Sequence, residues 1–201
     1  VLQDLYNTFG YIVTEEQAVS GTSSADLDLL AFERFMTNSG IDLGDEPRLQ
    51  LEDDLRNRGL LVDRDSSSLR SMATLYGLIA FGKNPQAHAQ MRSFWIECVA
   101  YAGTDRADEV VQVAEARGRL DEQVDRALGW MKSMGRQERH VGARREDVPL
   151  VPEGALREVL VNAVCHRDYA ITGSRILLEV FADRVVVTNP APCQTTCDPS
   201  R

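Results

Sequence analysis

The sequence predicts an α+β fold: a mainly helical part over 1–90, an α/β part over 91–190, and a tail over 191–201 expected to be disordered or non-native. Three observations carry that expectation. Between Ala25 and Phe81, stretches with helical apolar spacing are separated by glycine and proline stops and one short apolar run. Phe94 to Tyr101 (FWIECVAY) is dense in aromatic and β-branched residues, the composition of a strand. Beyond Leu120, two amphipathic helical stretches precede two strand-like runs joined by a tight turn.

In chain order, Ser24 or Asp26 is placed to cap a helix reaching about Asn38, with Leu27, Leu30, Phe32, Phe35 and Met36 mostly inward and Gly40 as its stop. Pro47 opens a second helix, Leu49 to Arg58, ended by Gly59. Leu60 to Val62 reads as a short strand, the polar run Asp63 to Ser68 as a loop, and Met72 to Phe81 as a third helix stopped by Gly82 and Pro85. Helix, helix, strand and hairpin-like loop is the order of a partial winged helix. After the strand at 94–101, Val110 to Val113 is a second strand candidate, and Leu120 to Met134 a helix with Val124, Leu128 and Met131 inward. Gly135 to Arg145 carries Arg136, Arg139, His140, Arg144 and Arg145, which can grip phosphates, but interleaved acids favour a solvated loop. Arg175 to Phe181 and Arg184 to Thr188 read as a β-hairpin turning at Ala182 and Asp183. An unpaired strand edge there invites another chain, so a homodimer is expected.

Composition narrows the function. The chain has 201 residues, 43% of them hydrophobic and 26% charged, as in ordinary globular proteins. Its net charge of −9 argues against a nucleic-acid module, which needs a basic surplus to meet phosphates. No apolar run is long enough to span a membrane and no targeting segment is recognisable, so a cytoplasmic protein is expected. Cys98 and Cys165 read as reduced thiols. Cys193 and Cys197 form Cys-x-x-x-Cys without the two further ligands that zinc would need.

The stretch that reads as a site is LREVLVNAVCHRDY, Leu156 to Tyr169. Leu156, Val159, Leu160, Ala163 and Val164 form the apolar stripe of a helix, while Glu158, Asn162 and His166 recur every four residues on another face. A carboxylate, an amide and an imidazole so aligned can hold a metal ion and its water. The same three residues are also ordinary occupants of a solvated face, and a histidine at a helix C-terminus is a favourable dipole partner.

The run LREVLVNAVCHRDYAITGSRILLEVFADRVVVTNP resembles the C-terminal module of bacterial proteins described as RecG-related helicases, better regarded as predicted transcriptional regulators. In these a Schlafen AlbA-like DNA-binding domain precedes a module related to the GHKL ATPases, the group of gyrase, Hsp90, MutL and histidine kinases. The resemblance rests on Glu158, Asn162, Ala163, His166, Arg167, Asp168, Tyr169, Gly173, Ser174, Asp183, Arg184, Asn189 and Pro190. It extends upstream through ADLDLLAFERFM, LYGLIAFGKNP, YAGTDRAD and GARREDVP. It implies a truncated GHKL-like α/β sandwich, with ATP and Mg²⁺ as cofactors of the full-length protein. Asn162 would ligate Mg²⁺ and Glu158 would be the general base; His166, Arg167, Asp168 and Asn189 complete the implied cofactor-binding set.

The chain departs from the ATPase pattern at one point that matters. Where GHKL proteins carry Asp-x-Gly-x-Gly to hold adenine and a glycine-rich lid over the phosphates, this chain has Thr188, Asn189, Pro190, Ala191 and Pro192. The regulator-like proteins have Asn-Pro-Gly there, and Ala191 replaces that glycine. The sequence starts in mid-pattern at Val1 without Met and stops soon after the hairpin, so a fragment is expected, with the DNA-binding domain outside it and no nucleotide held by this stretch alone. Three readings stay open: a degenerate nucleotide-binding module coupled to that domain, a non-catalytic dimerisation scaffold, and a winged-helix DNA-binding module. The last would use RLQLEDDLRNRG as its reading helix, whose Glu52, Asp53 and Asp54 repel phosphates. Helicase chemistry is excluded by the lack of any G-x-x-x-x-G-K-[ST] motif.

Overall fold

A computed structural model describes residues 14–41, 48–63, 71–134, 137–141, 144–148 and 151–190. The chain is a mixed α+β protein that divides into two compact units, one formed by Val1–Arg92 with Gly118–Glu122, the other by Ser93–Arg117 with Gln123–Arg201.

In the first unit a short 3₁₀ turn, Ser24–Asp26, is closed by a capping box in which Ser23 accepts from Ala25 and Asp26 accepts from the Ser23 backbone N–H at 2.8 Å. Helix α1 (Leu29–Asn38) follows. Asp28 caps it, not Ser24 or Asp26, by accepting the Ala31 N–H at 3.1 Å, because the turn before it occupies the earlier caps. Leu27, Phe32 and Met36 are buried, whereas Leu30 and Phe35 are each 54% exposed, so only part of the expected apolar face enters the core. Phe32 packs edge-on against Phe81, ring centroids 5.3 Å apart.

Helix α2 (Arg48–Asn57) ends at Gly59, whose φ of +71° is the left-handed conformation glycine adopts without strain. Strands β1 (Leu61–Asp63) and β2 (Ser71–Ala73) pair antiparallel with Leu61 opposite Ala73. Met72 and Ala73, expected in a helix, are therefore strand: β1 supplies backbone partners that local propensity does not register. Helix α3 (Leu75–Phe81) starts one residue after β2, capped by Thr74, whose oxygen accepts the Gly77 N–H at 2.9 Å and whose hydroxyl donates to the Gly59 carbonyl at 2.7 Å. The expected Pro47 start of α2, the loop over 64–68, Cys193 and Cys197 lie outside the described residues.

Gly77 decides how close α3 comes to the chain. A Cβ there would lie 2.4 Å from the Leu60 carbonyl oxygen, a backbone atom that cannot swing aside. Gly77→Ala is expected to destabilise the protein by about 2 kcal/mol despite alanine's better helix propensity, since overpacking outweighs that gain. Urea denaturation checks this; an unchanged or raised midpoint refutes it.

The second unit is a four-stranded open sheet with helices. Strands β3 (Ile96–Tyr101), β4 (Val110–Ala116), β7 (Ile176–Val180) and β8 (Val185–Thr188) lie in the order β4-β3-β7-β8. The central pair β3 and β7 is parallel, with Ile96 opposite Ile176, and the outer pairs are antiparallel. A parallel pair needs a long crossover. Here it runs through β4, helix α4 (Leu120–Ser133), the strands β5 (Gln137–Val141) and β6 (Arg144–Val148), and helix α5 (Glu153–Cys165). Within the stretch 135–145, expected as a loop, β5 and the first two residues of β6 are strand, with Arg139 opposite Glu146 and His140 opposite Arg145.

Alternation builds the sheet's core face. Ile96, Cys98 and Ala100 of β3 and Ile176, Leu178 and Val180 of β7 are all buried. Helix α4 buries Val124, Ala127, Leu128 and Trp130, and α5 buries Leu156, Leu160, Ala163 and Val164. Met131 is only partly buried and Val159 is 46% exposed, so the inward arc of both helices is narrower than expected. Arg157 to Asp125 (3.1 Å) and Lys132 to Glu153 (2.8 Å) tie α5 to α4 at the surface. Burial and the neighbouring Glu97 charge push the Cys98 thiol up to about 12, which keeps it protonated and inert at neutral pH. Among the described residues no helix is long and apolar enough to cross a membrane.

Candidate functional site

Helix α5 presents Glu158, Asn162 and His166 on one exposed face, as their spacing requires. Their side chains make no hydrogen bond or ion pair with other described residues. The His166 backbone N–H closes the helix on the Asn162 carbonyl at 2.9 Å, so the imidazole sits at the C-cap, one turn beyond the amide. Cys165 is exposed beside them. Among the described residues no group of three or more His, Cys, Asp or Glu is arranged to hold a metal. Any ion on this face would therefore take at most one or two protein oxygens and complete its shell from water or ligand, which suits Mg²⁺ and not zinc.

The loop after α5 is built around one side chain. Arg167 is only 4% exposed. Its guanidinium donates to three backbone carbonyls, Asp168 at 3.0 Å, Ile171 at 2.8 Å and Ser174 at 2.6 Å. It also stacks 4.1 Å over the Phe94 ring and 5.0 Å over Tyr169. Burial lowers its pKa below the ordinary arginine value, a desolvation cost that these carbonyls and ring faces offset. Tyr169 is buried edge-on to Phe94, with centroids 5.3 Å apart, and its hydroxyl donates to the Val164 carbonyl at 2.8 Å, pinning the loop back on α5. Asp168 accepts the Ala170 N–H at 2.9 Å in a local turn, and its own N–H reaches the Pro190 carbonyl at 3.2 Å.

The structure thus sorts the sequence-derived residues into two groups. Glu158, Asn162 and His166 are together on an open helix face. Arg167 and Asp168 are brought beside the Asn189–Pro190 end of β8 by the backbone bond to Pro190, but the Arg167 donors are turned to the loop carbonyls. Two buried polar atoms here lack a partner: the Arg167 Nε and the Asn189 Oδ1. Tyr169 and Phe94 were missed as organisers of this loop. Tyr169 directly follows the His-Arg-Asp run, but only tertiary contact reveals that its hydroxyl returns to the helix.

A second polar cluster, unforeseen from sequence, lies in the same unit. Glu179 of β7 is 3% exposed and receives two bonds from Arg106, at 2.7 and 2.5 Å, and one from the Tyr101 hydroxyl at 3.4 Å. Tyr101 stacks on Phe181 at 4.9 Å. The Ala182 N–H and the Arg184 guanidinium reach the Gly103 and Thr104 carbonyls at 2.9 and 2.8 Å, so the turn after β3 and the turn after β7 are clasped together. The one available signal was a lone glutamate in the apolar run ILLEV.

The class these features define is a mixed α+β protein whose second unit is a small open sheet with helices. No family model and no curated protein matches the chain. Among solved structures, the DIP2311 protein from Corynebacterium diphtheriae is similar, with a TM-score of 0.55 and 18% identity over 90% of this chain. The chain spans 34% of the length of that protein, and at this identity the likeness concerns the fold alone.

Proposed function

We propose that the second unit is a degenerate GHKL-like nucleotide-binding module of a transcriptional regulator, with the exposed face of α5 as its Mg²⁺-phosphate side. The observation that carries this reading is the availability of Asn162 and Glu158, aligned one turn apart on the exposed side of a helix whose Leu156, Leu160, Ala163 and Val164 are buried, with no internal partner among the described residues. Asn162 would offer one oxygen to Mg²⁺, and Glu158 would accept a proton from a water beside it. Bound Mg²⁺-ATP would supply phosphates whose charge the ion offsets. Arg167 has a different part in this reading: its two terminal NH2 groups hold the 167–174 loop that ends the face. Nucleotide state would then be passed to a DNA-binding domain of the full-length protein.

The winged-helix reading of the first unit draws on the order α1, α2, β1, β2, α3. Electrostatics opposes its use on DNA. Arg56, the basic residue in the last turn of α2, is held by Asp53 at 2.7 Å, Asp63 at 3.1 Å and Glu52 at 3.4 Å. A packing role fits that network better.

Titration of the full-length protein with Mg²⁺-ATP tests the proposal. Asn162→Ala is expected to abolish binding while leaving the unfolding midpoint unchanged, because the side chain is exposed and unpartnered. Binding that survives the substitution, or no binding at millimolar nucleotide by the unmodified protein, sinks the nucleotide reading and leaves the dimerisation scaffold.

A further inference from the structure

The chain passes between its two compact units without a linker. Units of one chain are usually joined by exposed, polar segments that let each fold by itself. Here Met91, fully buried, lies at the end of the first unit, and Phe94, 2% exposed, already belongs to the second. The next passage is tighter. Strand β4 ends its ladder at Ala116, opposite Ile96, and α4 buries Gln123, whose amide donates to the Phe94 carbonyl at 3.1 Å. Between these two fixed points of the second unit, the strap Gly118–Glu122 belongs to the first.

Two side chains of the first unit hold that strap. Gln86, 7% exposed in the 3₁₀ turn Pro85–Ala87, meets both backbone groups of Gly118: its amide nitrogen donates to the carbonyl and its oxygen accepts the N–H, each at 2.9 Å. Asp28 uses one carboxylate oxygen to cap α1 through the Ala31 N–H and the other to accept Arg119 at 2.7 Å. The Glu122 carboxylate accepts the Arg119 N–H at 3.1 Å and keeps the strap turned. The shape of the strap is thus set on both sides by β4 and α4, while its bonding partners lie in the first unit. A segment preorganised by one unit and held by residues of the other acts as a tethered ligand. It stabilises its receptor for as long as its own unit stays folded, and linkage makes the effect reciprocal.

We propose that the strap 118–122 is a coupling device which, through Gln86 and Asp28, makes the two units fold and unfold as one. The inference is independent of nucleotide binding, since no strap residue lies on the α5 face.

Urea unfolding followed by two signals tests it. Both tryptophans, Trp95 and Trp130, lie in the second unit, whereas α1, α2 and α3 lie in the first. Tryptophan fluorescence therefore follows the second unit, and far-ultraviolet circular dichroism follows the helices of both. The unmodified protein is expected to give coincident transitions. Ile79→Val, a small cavity in buried α3 away from the strap, is expected to lower both midpoints together. Gln86→Ala/Arg119→Ala is expected to part them, with some of the dichroism lost about 1 M urea before the fluorescence changes. Should that variant fail to fold, Arg119→Ala alone is expected to give a smaller separation in the same direction. Separate transitions in the unmodified protein, or an Ile79→Val effect confined to the dichroism, overturn the proposal, because the units are then independent. So does coincidence in the strap variants, because the coupling must then run through other contacts.

Discussion

Arg167→Ala is expected to lower the stability of the protein by about 3 kcal/mol, the largest effect of any single substitution near the candidate site. Three carbonyls, those of Asp168, Ile171 and Ser174, lose a charged donor, and the Phe94 ring loses a guanidinium 4.1 Å above it. Each charge-assisted bond contributes about 1.5 kcal/mol and a desolvated cation–π contact about 1 to 2 kcal/mol. Relief of the guanidinium's own desolvation returns part of that sum, which is why the net is smaller than the total. Arg167→Lys should recover little, because one ammonium cannot serve three carbonyls spread along the loop while lying flat on an aromatic face. Denaturant titrations of the two variants decide the matter: a loss below about 1 kcal/mol for alanine would mean that the loop does not depend on this side chain.

Arg106→Ala should lower the denaturation midpoint by a different route. Glu179 is 3% exposed, whereas Arg106 is 62% exposed. Cutting back the partner of a buried charge leaves that charge uncompensated, and the cost is moderated here because water can reach the Arg106 end. What remains for the carboxylate is the Tyr101 hydroxyl at 3.4 Å, too long for a strong bond. The loss should be largely reversed by adding Glu179→Gln, which removes the charge that lacks a partner and keeps the shape. If Arg106→Ala and the double variant unfold at the same denaturant concentration, the cost does not arise from an uncompensated carboxylate.

Both predictions concern residues whose importance is invisible at the level of spacing. Arg167 stands in the quoted His-Arg-Asp-Tyr run, where its chemistry suggests a phosphate ligand; burial beneath Phe94 and Tyr169 turns it into the centre of a loop. Arg106 and Glu179 are 73 residues apart, one in a polar turn and the other in an apolar strand. Neither has a local pattern that points to the other.

Local composition and periodicity located β3, α4, α5 and the β7–β8 hairpin, and set Glu158, Asn162 and His166 on one helix face. Those are properties of a segment with itself, since a period of 3.6 or 2 residues decides which side chains share a side whatever the rest of the chain does. The tertiary structure decided what such segments meet. It turned Val159, Leu30 and Phe35 outward, because a helix buries only the arc its neighbours cover. It made Met72–Ala73, 137–141 and 144–148 into strands, because a ladder partner outweighs weak local preference. It also placed β4 at the sheet edge with its valines exposed. Burial and pairing depend on residues distant in sequence, so a single chain of letters records which faces exist but not which are covered.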